Sequence, residues 1–231
     1  MRIGNRLLTT LLVAIFVPAF SATAGAEILQ SECASCHALT KPDSATLDRL
    51  MTREGPDLYY AGVKFNKEWL VAWLQNPTAI RPAGVMYRRA IKADADGGPD
   101  VVDPVLVPAH PKLSTTDATA AADALMSLGI DAGLVEKGAF KQEAPGSMAP
   151  MLFNKLRGCS SCHSGKPGSG GFSGPELYTA GDRLQADYMV EYIRSPQKFD
   201  PHVWMPALGL KDGDVQKLTG YLLTLKQEGA K

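Results

Sequence analysis

The chain lacks an excess of either charge: its 231 residues carry 24 Lys+Arg against 24 Asp+Glu, with pI near 6.9. Binding to nucleic acid through counterion release needs a basic surplus, so that partner is disfavoured. There is also no apolar run of the roughly 18–20 residues that a membrane-spanning helix needs. The longest, Leu7 to Val17, is shorter and stops at Pro18. The Gly/Ser-rich stretch from Ser164 to Ser173 has no Gly-Lys-Ser/Thr ending and no preceding strand, so it reads as a mobile loop and not a phosphate cradle. Hydrophobic residues at 45% and charged residues at 21% exclude wholesale disorder. Cysteine and histidine are scarce, with four of each.

What is present begins with a short export signal. Arg2 and Arg6 precede the apolar run, and Ala22-Thr23-Ala24 and Ala24-Gly25-Ala26 both fit a small-x-small cleavage rule. Residues 1–24 are expected to be removed, with a second cleavage position after 26. Cleavage takes two Arg and no acid, leaving a formal charge of −2. The mature protein is expected in the periplasm, with no stable membrane span.

All four Cys and two of the four His fall in two pentapeptides, Cys33-Ala34-Ser35-Cys36-His37 and Cys159-Ser160-Ser161-Cys162-His163. Two thiols three residues apart lie on one side of a helical turn and can add to the two vinyl groups of one haem. The next residue then places an imidazole under the iron. A thioredoxin-like pair would sit in a strand-helix-strand pattern, and none is visible. A zinc ribbon would pool cysteines from both pairs, which lie 126 residues apart in self-sufficient segments. The expected cofactors are two covalently bound haem c groups, held by Cys33, Cys36 and His37 and by Cys159, Cys162 and His163.

A repeat locates the remaining candidates. Gly55-Pro56-Asp57-Leu58 recurs as Gly174-Pro175-Glu176-Leu177 at an offset of 119, which runs without a gap as far as Met86 and Met205. Each Met lies four residues after a Pro in a stiff loop, where a thioether can reach inward to iron. Met86 and Met205 are the expected distal ligands, with His202 and His110 as rivals. The closing helices match at a different offset, 97, pairing Leu125 with Leu222 and Leu128 with Leu225. The 22 extra residues of the first half fall in an insert at about 87–112, rich in Asp, Gly and Pro and expected to be a long loop. Its run Asp94-Ala95-Asp96-Gly97 only faintly matches a calcium loop.

Each half resembles a class I cytochrome c domain in its Cys-x-x-Cys-His, its Gly-Pro-x-Leu, its helix ending at Asn-Pro or Ser-Pro, its Met-bearing Pro-rich loop and its last helix. The tandem arrangement is similar to soluble dihaem cytochromes of the c-four type, apart from the insert. The resemblance implies an all-α fold of two tandem domains, 25–130 and 149–231, joined by a linker at 131–148. It further implies that the Pro56 and Pro175 carbonyls meet the proximal imidazoles, and that Lys64 and Arg183 lie near haem propionates.

Two further expectations concern local structure. Asn66 should cap a helix carrying Trp69, Leu70, Trp73 and Leu74 at i, i+3, i+4 spacing, ending before Pro77. A short helix over Ala26 to Cys33 should lead into the first motif. Iron with six protein and porphyrin ligands in both oxidation states suits outer-sphere transfer of single electrons between redox partner proteins. The alternatives are a dihaem enzyme of peroxidase or thiosulfate-oxidising type, with one labile ligand, and a haem subunit of a dehydrogenase complex.

Overall fold

Helices dominate because apolar residues recur with helical spacing, and two of the helices stop one residue before an x-Pro step. The computed structural model describes residues 20–78, 80, 88–98, 100–141 and 145–226. In the first half α1 (Phe20–Ile28) runs on through a turn of π-helix (Leu29–Cys33) into the first pentapeptide. After it come α2 (Leu47–Thr52), α3 (Ala61–Lys64), α4 (Lys67–Gln75) and α5 (Thr115–Met126). The second half repeats the order with α6 (Ala149–Met151) and its π-turn (Leu152–Leu156), α7 (Ala180–Arg183), α8 (Ala186–Arg194) and α9 (Asp212–Thr224). The helix leading into the first motif starts earlier than expected, at Phe20, and packs on α5.

The α1–α5 crossing is close. Gly25 lies where any Cβ would strike the Ala120 carbonyl and Ala124, and Ala118, Ala121 and Ala122 of α5 are buried as well. Small residues on both sides let the two backbones approach. A second pair of contacts ties each short helix to its closing helix. Gly62 N–H donates to Leu128 O (3.0 Å) and Gly181 N–H to Leu225 O (2.8 Å). A Cβ on Gly62 would meet Met126 O, and one on Gly181 would meet Leu223 O. These pairs keep the offset of 97 that relates the closing helices.

α4 ends at Gln75 and α8 at Arg194, each one residue before an x-Pro step. Asn66 does stand at the N-cap of α4, but its side chain does not cap. It reaches instead into the other half, donating to Asp182 O (2.8 Å) and Leu184 O (3.3 Å). Its counterpart in the repeat, Gln185, donates to Gly62 O (2.8 Å) and Phe65 O (2.7 Å). The backbone does the same: Asn66 N–H to Arg183 O and Gln185 N–H to Lys64 O, both 2.9 Å, around an antiparallel bridge of Phe65 with Leu184. Lys64 and Arg183, Phe65 and Leu184, and Asn66 and Gln185 are each 119 positions apart, so the contact between the halves has approximate two-fold symmetry. One continuous apolar cluster runs through it, from Leu29 and Tyr60 to Tyr188, Phe199 and Leu222.

Two segments differ from expectation. The insert contains a small antiparallel ribbon, β1 (Ile91–Lys92) with β2 (Val101–Val102), registered Ile91 to Val102. Asp94 shapes its turn by accepting from Asp96 N–H (3.2 Å), and Gly97 sits at φ +74°. The segment read as linker is docked, in part, on the second half. Asp187 accepts from Gly138 and Phe140 N–H, both at 2.8 Å, and Gln216 binds Lys141 N–H and Ala139 O. This part of the segment expected as a linker is thus anchored by two buried or half-buried polar side chains of α8 and α9.

Candidate haem sites

Each pentapeptide forms the same turn. In the first, Cys36 N–H and His37 N–H donate to Cys33 O at 3.2 and 3.0 Å; in the second, Cys162 and His163 donate to Cys159 O at the same distances. The first thiol of each pair is turned inward and the second is exposed. All four are free. Burial raises the Cys33 thiol pKa above its ordinary value, with help from Glu32 and Cys36, and burial likewise raises that of Cys159. A dithiol-disulfide enzyme needs a thiolate stabilised by its surroundings, so these surroundings disfavour that chemistry. Among the described residues no three His, Cys, Asp or Glu side chains converge to hold a metal ion.

Three hydrogen bonds, two of them backbone to backbone, fasten each turn to its Gly-Pro segment. Gly55 N–H donates to Cys36 O (2.9 Å), and Leu58 N–H to Ala38 O (2.9 Å). Gly174 N–H donates to Cys162 O, and Leu177 N–H to Ser164 O, both at 2.8 Å. The third joins the imidazole itself: His37 Nδ1–H donates to Pro56 O at 2.6 Å and His163 Nδ1–H to Pro175 O at 2.8 Å. Because a carbonyl can only accept, Nδ1 carries the proton, and each neutral ring keeps its acceptor lone pair on Nε2. Burial lowers the His37 pKa, the Pro56 bond opposing it, and so favours the neutral ring that a metal requires.

Gly55 and Gly174 complete the seats, and the sequence reading passed over both. A Cβ at Gly55 would lie 2.5 Å from His37 Cε1, and one at Gly174 2.6 Å from His163 Cε1. Their only sequence signal is that each precedes the repeated Pro. A backbone that presses against one imidazole face fixes the ring while leaving Nε2 directed away from its Pro carbonyl.

The other candidates lie as follows. Met205 is half-buried in the loop before α9, its carbonyl accepting from Gln197 Nε2 (2.8 Å). Met86 lies outside the described residues. His202 is exposed, and its Nε2 meets Ala45 O (2.9 Å) in the first half. His110 is half-buried with its ring centre 6.4 Å from that of His37 and 4.4 Å from that of Trp73. Trp69 and Trp73, half-buried, form a stacked row with Phe65 at 5.7 and 5.6 Å. A cleft of about 300 Å³ opens beside Cys36 and His37, lined also by Arg49, Arg53 and Glu54.

At the contact between the halves, Lys64 and Arg183 occupy matching positions. Lys64 is half-buried, its Nζ lying 5.5, 4.8 and 5.8 Å from the ring centres of Tyr60, Phe65 and Tyr188. Loss of water, then Arg183 and Arg53, hold its pKa down to about 7, against the pull of Asp57. Arg183 is 5% exposed, and its Nε has no hydrogen-bond partner, as is true of Arg53 Nε. Cations gathered in a poorly solvated contact are costly until anions join them. The carboxylates of a porphyrin have the needed charge. These orphaned donors, the glycine seats and the lone pair on the imidazole together fit a covalently attached haem.

Residues 149–222 match the family model described as cytochrome C oxidase, cbb3-type, subunit III. No curated protein and no solved structure matches the chain. The match supports a class I c-type cytochrome domain over residues 149–222, a kind of domain that holds haem c covalently and passes electrons to redox partners. Among the described residues no helix is long and apolar enough to cross a membrane.

Proposed function

We propose that the whole chain is an exported dihaem c-type cytochrome that relays single electrons between redox partner proteins of the periplasm. One observation carries the reading. The first half seats His37 with the same turn, the same backbone contacts and the same Pro carbonyl that seat His163 in the domain the family model matches. Cys33 and Cys36 would hold one haem and Cys159 and Cys162 the other, each supplying a reversible one-electron centre when bound. His37 and His163 are the proximal ligands. Met205 would give its thioether to the second iron, and Met86 and His110 are the two candidates for the corresponding place at the first.

The chain's own residues do the rest. Pro56 and Pro175 hold the imidazole proton at Nδ1, which keeps each ring neutral and orients Nε2. Lys64 and Arg183 offset propionate charge where the halves meet, which makes that contact the natural crossing point for an electron. Removal of a leader after Ala24 keeps Gly25 at the α1–α5 crossing, whereas removal after Ala26 would lose it; the closer packing favours the first position.

The test is haem content and ligand access in the purified holoprotein. Two haems per chain are expected, falling to one in Cys33→Ser/Cys36→Ser and to one in Cys159→Ser/Cys162→Ser. Two redox steps and slow, weak uptake of carbon monoxide are also expected. A single haem in the wild type, or ready carbon monoxide binding in the resting form, would overturn the relay; the second result would point to the enzyme.

A further inference from the structure

The 22-residue insert changes how the first half maps onto the second. Counted from the Gly-Pro segment, Met205 corresponds to Met86. Counted from the closing helix, at the offset of 97, it corresponds to Pro108, two residues before His110. The first half thus has two segments where the second has one distal loop. The segment nearer the closing helix carries an imidazole.

The structure brings that imidazole to His37. The ring centres are 6.4 Å apart and the planes are inclined by 50°. Two imidazoles bound through Nε2 to one metal, each at about 2 Å, have ring centres about 6 Å apart. Their planes can take any mutual rotation about the shared axis, so the inclination is compatible.

His110 is also held as an axial ligand is held. Its Nδ1 meets the Pro111 carbonyl (3.2 Å), as His37 Nδ1 meets Pro56 and His163 Nδ1 meets Pro175. Nε2 is left as its acceptor atom. The edge-on Trp73 ring, itself anchored by Nε1–H to Thr78 O (3.0 Å), supports the imidazole. Pro108 and Pro111 stiffen the segment on both sides. The bond from Leu113 N–H to Leu74 O (2.9 Å) ties it to α4, and Asp103 N–H to Ala90 O (2.7 Å) closes the insert upstream.

We propose that His110, delivered by the insert, is the distal ligand of the first haem in place of Met86, so that the molecule pairs a bis-histidine haem with a His/Met haem. The proposal rests on the dihaem reading above. Its consequence is directional. A neutral imidazole stabilises ferric iron more than a thioether does, so the first haem has the lower potential. Electrons enter at the first half and leave from the second.

The experiment uses the full-length holoprotein, with haem counted per chain in every sample. Ferric spectra read the weak charge-transfer band of Met-bound iron, and electron paramagnetic resonance reads the ligand set of each haem. The expected wild type has two haems, one thioether band's worth of intensity, and one low-spin signal of bis-imidazole type. Met86→Leu should leave all three unchanged. His110→Met should double the thioether band and raise the lower potential. His110→Ala should turn one haem high-spin and let added imidazole restore it. Loss of half the thioether intensity in Met86→Leu, with His110→Ala spectroscopically silent, would overturn the assignment while leaving the dihaem relay intact. A count of one haem per chain would remove both.

Discussion

Between its motif histidine and its Gly-Pro the first half has residues 38–54, and the second has residues 164–173. The longer loop forms α2; Arg49 on it and Arg53 just past its end grip the buried Asp57, and Arg53 also reaches Asp200 across the halves (3.0 Å). The shorter one is glycine-rich, with Gly168 and Gly170 at positive φ and Ser164 turned in to bond Lys166 O. Yet the imidazole seats at the ends of these loops are alike to within a few tenths of an ångström in their hydrogen bonds. The comparison separates what the chemistry requires from what it tolerates. The turn, the two backbone contacts and the Pro carbonyl are kept, while the chain between them is free to become a charged clasp or a tight glycine loop.

The seats are therefore the place to strike hardest. Gly55→Ala and Gly174→Ala each drive a methyl into a histidine ring whose nearest atom is 2.5 or 2.6 Å away. Overpacking of this kind costs about 1–3 kcal/mol. Each variant is expected to unfold at lower denaturant concentration and to shift the ferric spectrum of its own haem only. Equal losses in the two variants sustain the likeness of the halves. A damaging Gly174→Ala beside a harmless Gly55→Ala would show that the first half does not hold its histidine as 149–222 does.

The parts of this design that were legible in the sequence are the local ones. The pentapeptides, the Gly-Pro pairs and the stops of α4 and α8 depend on residues a few positions apart, where spacing translates directly into geometry. The contact between the halves was not legible. Asn66 has the composition and position of a helix cap, and only the approach of Asp182 and Leu184 from 116 and 118 residues away gives its amide better acceptors. The ribbon of the insert was missed because two-residue strands carry no periodicity. His110 reads as an isolated histidine between prolines until the fold sets it beside His37. Gly55 and Gly174 were visible as repeats, but nothing in a linear pattern says which face of a histidine a glycine will touch.

The two-fold contact offers a second, smaller test. Asn66→Ala strips hydrogen bonds from two carbonyls of the second half, and Gln185→Ala does the same to two carbonyls of the first. Part-buried acceptors left unmet cost about 1–3 kcal/mol. Both variants should lose stability in chemical denaturation by amounts within about 1 kcal/mol of each other, Gln185→Ala the more because its bonds are shorter. Slower electron exchange between the two haems should accompany the loss in each. A costly Gln185→Ala with a silent Asn66→Ala would break the symmetry and make the contact one-sided.

The smallest effect concerns a feature the first half has no counterpart for, the docked segment 137–141. Asp212 binds Lys141 Nζ (2.9 Å) and Arg194, and these two cations hold its carboxyl down from 3.8 to about 2. A carboxylate with a depressed pKa in the folded state stabilises above the unfolded value and loses that contribution as pH falls through the folded one. The docking should therefore be at full strength above pH 4 and weaken as the pH approaches 2. Asp212 is solvent-exposed, so the change is modest, and the backbone bonds to Asp187 and Gln216 persist. Cleavage between the halves by an acid-active protease should rise across that interval in the wild type. Asp212→Asn should already show the faster cleavage at pH 5 and gain little on further acidification. Equal cleavage of the two proteins at pH 5 would mean that Asp187 and Gln216 alone dock the segment.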